Sequence, residues 1–70
     1  MAIKRECKSY KINNHLAIDC ISDKGDNYSK YHLDVYVFNE DAIISIEEIR
    51  DIKTAEEANR LFKELVAKYK

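Results

Sequence analysis

Two cysteines, two histidines and scattered carboxylates are the side chains of this 70-residue chain with chemistry to offer. Cys7 and Cys20 are too few for a structural zinc site, which wants four closely spaced ligands. His15 and His32 bring the number to four, but the spacing fits no zinc finger. A nucleophilic thiol needs a nearby base or a helix N-terminus to lower its pKa. Cys20 falls in a core-facing alternating stretch, so both thiols are expected reduced and half-buried. His32 shares a strand face with Asp34, a partner that could orient an imidazole, yet no serine or cysteine completes a triad. The acidic runs "DKGDN" and "NED" lack the twelve-residue spacing of a calcium loop. A single glycine, Gly25, rules out a Gly-rich phosphate loop. No metal, no cofactor and no enzymatic activity are expected.

Charge narrows the partners. Twelve basic and thirteen acidic residues leave a net charge of −1. Lys4, Arg5, Lys8 and Lys11 make the start basic, whereas Glu40, Asp41, Glu47, Glu48 and Asp51 form an acidic patch. A polyanion binder usually carries a strong basic surplus, and this chain does not. With 46% hydrophobic and 36% charged residues, disorder is not expected. No apolar run follows the basic N-terminus, and none nears the roughly 18 residues needed to span a bilayer. The expectation is one small domain over residues 1–70, a complete reading frame, cytoplasmic and not membrane-bound.

The elements that position these residues follow from periodicity. "TAEEANRLFKELVAKYK", residues 54–70, predicts an amphipathic helix. Thr54 and Glu57 make a capping box, and Ala58, Leu61, Phe62, Leu65, Val66 and Tyr69 form its apolar stripe. Upstream the period is two. "HLAIDCIS" (15–22) and "KYHLDVYVF" (30–38) read as strands, with "DKGDNYS" (23–29) as the loop between them. "AIISIEEIR" (42–50) begins as a strand. Its isoleucine spacing then slips, which predicts a bulge or a short helical turn over 47–52. Before them "IKRECKSYKI" (3–12) reads as a first strand, and Asn13-Asn14 as a two-residue hairpin turn. That turn sets Ile12 against His15 and Cys7 against Cys20, about 4.5 Å apart at Cα and at the short end of the disulfide range. The fold class is α+β: a four-stranded antiparallel β-meander followed by one C-terminal amphipathic helix on one sheet face, β-β-β-β-α. Leu16, Ile18, Cys20, Leu33, Val35, Val37, Ile44 and Ile46 are expected beneath the helix.

One helix covers one face of the sheet. On this register Tyr10, Ile12, Ala17, Ile21, His32, Tyr36, Phe38 and Ile43 point the other way. Apolar patches of that kind on small proteins mark interfaces, with aromatic residues as anchors. The first expectation is a non-enzymatic interaction or accessory module that inhibits or regulates another protein. It is dimeric through Tyr10, Ile12, Ile21, His32, Tyr36 and Phe38 or through an edge strand. Size and a Lys/Ile-rich composition suit a prokaryote or phage. The alternative is a single-stranded nucleic-acid binder. Tyr10, Tyr36 and Phe38 would stack bases, and Lys4, Arg5, Lys8, Lys11 and Lys30 would track the backbone. Net charge does not favour it.

Overall fold

The computed structural model describes residues 3–70. Strands β1 (Lys4–Lys11), β2 (Leu16–Gly25), β3 (Tyr28–Phe38) and β4 (Ile43–Ile52) precede helix α1 (Ala55–Tyr69). The strands form one antiparallel sheet in the order β1-β2-β3-β4, and α1 packs against β3 and β4. This is the β-β-β-β-α meander that the periodicity predicts. Leu16, Ile18, Leu33, Val35 and Ile52 of the sheet and Leu65 of the helix form the core. Among the described residues no helix is long and apolar enough to cross a membrane.

Helix α1 starts where the capping box places it. The Glu57 N–H donates to Thr54 Oγ1 at 3.1 Å, and Thr54 keeps an extended backbone, so one free amide of the first turn is satisfied. At its other end α1 is tied to β4. Lys68 Nζ donates to Glu47 Oε1 at 2.9 Å, and the Tyr69 hydroxyl donates to the same oxygen. The Tyr69 hydroxyl, and after it the Lys68 ammonium, hold the Glu47 carboxyl below its usual value of about 4.5. A carboxyl lowered by folding stabilises fully above its unfolded pKa, and loses that contribution as pH falls through its folded one. Stability is therefore expected to decline as the medium is acidified below about pH 5. Denaturant melts across pH should show Glu47→Gln with a flatter acid limb than the parent.

The first turn departs from the sequence expectation and changes what β1 presents. It takes three residues, Asn13-Asn14-His15, instead of two. Ile12 N–H donates to the Leu16 carbonyl at 2.8 Å, and His15 N–H donates to Asn13 Oδ1 at 2.8 Å. The asparagine side chain thus builds a turn of its own. The extra residue slips the register by one, so Tyr10 pairs with Ile18, Lys8 with Cys20 and Cys7 with Ile21. Since the side-chain period of a strand is two, every residue of β1 changes face. Tyr10 and Ile12, expected on the uncovered face, lie on the helix side. Tyr10 meets Phe62 edge-on with ring centroids 5.5 Å apart, and Ile12 packs on the core.

The same slip separates the thiols. Cys7 and Cys20 sit on opposite faces of the sheet instead of opposite each other, and both are free. Oxidation of the folded chain should give no Cys7–Cys20 bridge. Thiol titration should find two groups, Cys20 reacting about tenfold or more slowly. Cys7 is exposed, whereas Cys20 is half-buried and burial pushes its thiol pKa up.

Two further boundaries move. Most of the expected 23–29 loop is strand: β2 runs to Gly25 and β3 begins at Tyr28, leaving Asp26-Asn27 as the turn. Asn27 takes φ 57°, a left-handed conformation that asparagine tolerates. Strand β4 continues through 47–52 as strand, not helix. Its pairing with β3 shifts between Val35 and Tyr36 and again between Tyr31 and Leu33. Ile46 is the unmatched residue of the first shift. Ile44 and Ile46, expected beneath the helix, are 58% and 46% exposed. The reason is reach: α1 ends at the level of Glu47, so the strand before it has no cover.

Candidate functional site

The uncovered face of the sheet is a grid of cross-strand rows set by the registers. Phe38 lies beside Ile43. The next row is Lys11, Ala17, Tyr36 and Ser45. Ser9, Asp19, Asp34 and Glu48 follow, then Cys7, Ile21 and His32. Arg5, Asp23 and Lys30 close the far end. Ile21, His32, Tyr36 and Phe38 are therefore where the sequence places them. Tyr10 and Ile12 are not among them.

One end of the face is apolar. Tyr36 and Phe38 have ring centroids 6.0 Å apart, and Lys11 Nζ lies 5.7 Å from the Phe38 ring centre. A hollow of about 260 Å³ opens between Ala17, Tyr36, Phe38 and Ile43. That is below the ~300–1,000 Å³ range of small-molecule sites, and suits one inserted side chain. Ile43 on its rim is 72% exposed.

The middle of the face is acidic. Asp19 and Asp34 are direct cross-strand partners. Each takes a hydroxyl from the strand on its other side: Ser9 Oγ to Asp19 Oδ1 at 2.6 Å, Ser45 Oγ to Asp34 Oδ1 at 2.5 Å. Among the described residues no cation pairs with either. Like charges directly opposite one another destabilise a sheet, and the two serine hydroxyls supply hydrogen bonds but no positive charge. The Tyr36 phenol reaches the same row, and burial is the main cause that pushes its pKa up. Glu48, in the same row, is held by Arg50 at 2.8 Å. His32 Nε2 lies 3.9 Å from Glu48 and is buried, with no hydrogen-bond partner among the described residues. Among the described residues no group of His, Cys, Asp and Glu is arranged to hold a metal ion.

The far end is neutralised. Arg5 grips Asp23 with two bonds of 2.6 and 2.9 Å, an arrangement whose guanidinium lowers the Asp23 carboxyl. Lys30 lies 3.1 Å from Asp51.

The residues of the nucleic-acid alternative are thus dispersed. Lys4 and Lys8 share the parity of Tyr10 and lie on the helix side, Arg5 and Lys30 are ion-paired, and Lys11 covers Phe38. The expected acidic patch is dispersed too. Glu40 and Asp41 belong to the β3–β4 turn, where Asn39 Oδ1 accepts from the Asp41 and Ala42 amides at 2.8 and 2.9 Å. Glu47 faces the helix, Asp51 holds Lys30, and Glu48 alone joins the open face. The acidic pair that does form, Asp19 and Asp34, went unnoticed in the sequence. Its signal was there: both are outward positions of neighbouring strands, but the pairing needs the β2–β3 register.

On the helix side a second hollow of about 430 Å³ runs beside α1, over Lys8, Cys20, Tyr31, Ala58 and Phe62. It exists because α1 rides on β3 and β4 and leaves the β1–β2 half partly open. Fold and face together define a small α+β domain with an open-faced sheet. No protein-family model, curated protein or solved structure matches the chain.

Proposed function

We propose that this chain is a non-enzymatic protein-interaction module that regulates or inhibits a partner through its open sheet face. The observation that carries the reading is the Asp19–Asp34 pair: two adjacent carboxylates that no cation among the described residues pairs with, one row from an aromatic hollow. Such a pair costs the fold stability, and local conflicts of this kind concentrate at functional sites. The complementary partner is a segment with a lysine or arginine over the carboxylates and an apolar side chain in the hollow. Adjacent rows are two residues apart along a strand, about 7 Å. An extended segment spaces its residues i and i+2 equally. The partner motif is therefore an apolar residue two positions from a basic one.

The acidic middle also weighs against two other uses. Stacking two open faces as a homodimer would bury Asp19 and Asp34 of one copy against those of the other, and unpaired buried charge is strongly unfavourable. A nucleic-acid backbone would meet carboxylates where it needs clustered cations.

The test is a random peptide selection against the immobilised chain. It should enrich the apolar–x–basic spacing, and Asp34→Asn should weaken the selected peptides roughly tenfold or more. A selection with no such spacing would overturn the proposal. So would tight binding of a single-stranded oligonucleotide that fades steeply with salt.

A further inference from the structure

We infer that the free edge of β4 joins the same edge of a second copy, making a two-fold, eight-stranded antiparallel sheet. This does not rest on the open-face reading. The sheet has two edges, and they differ. Strand β1 carries Lys4, Arg5, Glu6, Lys8 and Lys11, charges of the kind that keep an edge from pairing. The first half of β4 is Ile43-Ile44-Ser45-Ile46, with no charge and with its three isoleucines 72%, 58% and 46% exposed.

Backbone direction makes this edge receptive. Phe38 N–H donates to the His15 carbonyl, toward β2. In an antiparallel pair the bonded positions alternate. Val37–Ile44 is then the bonded pair with β3, while Ile43 and Ser45 turn their N–H and C=O groups outward. A strand is the natural occupant of such a row.

The sequence of the edge is complementary to itself. With the two-fold at Ser45, Ser45 meets Ser45 of the other copy as a bonded pair. Ile44 then meets Ile46 twice, in the closer non-bonded arrangement. The bulge at Ile46 ends the regular alternation there, so the matched stretch is Ile44–Ile46, which carries no acidic residue. A shift of the axis by one residue, to Ile44, centres it on a residue whose N–H and C=O already serve β3, and loses the isoleucine pairs. Glu47 is in any case already engaged by Lys68 and Tyr69. Four isoleucines would close over the part of the sheet that α1 is too short to reach.

Sedimentation equilibrium across concentration tests this. The parent chain should approach twice its 8.2 kDa mass. Ser45→Pro removes an outward N–H that β3 does not use, a substitution edge strands accept, and should raise the dimer dissociation constant roughly tenfold or more. Ile46→Lys should do the same without touching the backbone, and carries the test if the proline variant does not fold. Asp34→Asn should leave the mass unchanged, which separates this edge from the open face. A parent that stays at the mass of one chain throughout overturns the inference. So does a folded Ile46→Lys variant that keeps the dimer mass.

Discussion

Leu65→Ala is expected to cost about 3 kcal/mol and to bring the chain close to its unfolding midpoint. Leu65 is the one α1 residue among those described that is fully buried, and it sits on Leu16, Ile18, Leu33, Val35 and Ile52. Removing it opens a cavity between helix and sheet, at the centre of a cover whose other members, Leu61, Phe62 and Val66, are only partly buried. A single core in a chain this short supplies roughly 3–5 kcal/mol of net stability, so the loss consumes most of it. Urea melts followed by helical circular dichroism measure the effect. Ala67→Ser, on the exposed side of the same helix turn, is the control and should move the midpoint little. A loss below about 1 kcal/mol for Leu65→Ala would mean that α1 is not what holds the sheet together.

Asp19→Asn and Asp34→Asn are expected to act in opposite directions on stability and on binding. Either change removes the repulsion between the pair and leaves an amide oxygen to accept the serine hydroxyl. Thermal melts at neutral pH should show a gain of roughly 0.2–1 kcal/mol, the usual scale of a cross-strand pair. Affinity for the selected basic peptides should fall at the same time. A residue that weakens the fold while serving a partner gives this trade of stability for function. A variant that melts earlier would make the pair structural and remove the main support for the open-face reading. The double substitution should bind no better than either single one, because both carboxylates face the same cation.

Helix α1 was legible because its signals are local. The Thr54–Glu57 capping box, the stripe through Leu61 and Leu65 and the basic last turn lie within one element and act within a turn or two. The face of β3 was legible for the same reason: Leu33, Val35 and Val37 alternate with His32, Tyr36 and Phe38 whatever β3 pairs with. The face of β1 was not. It depended on whether the turn at Asn13 takes two residues or three. That choice came from an Asn13 side chain that accepts the His15 amide. One residue there moved Tyr10 and Ile12 under the helix and Cys7 away from Cys20.

The sequence alone therefore determined the order of elements, the helix with both its ends, and which residues of each strand share a side. Tertiary structure decided the rest. It set which residues meet across strands, hence the Asp19–Asp34 pair and the Arg5–Asp23 and Lys30–Asp51 bridges. It also set how far along the sheet the helix reaches, hence the bare isoleucines of β4. The physical reason is that periodicity is a property of one segment, whereas register and cover depend on the length of a turn and the reach of another element. A shift of one residue in either reverses a face without altering any local pattern.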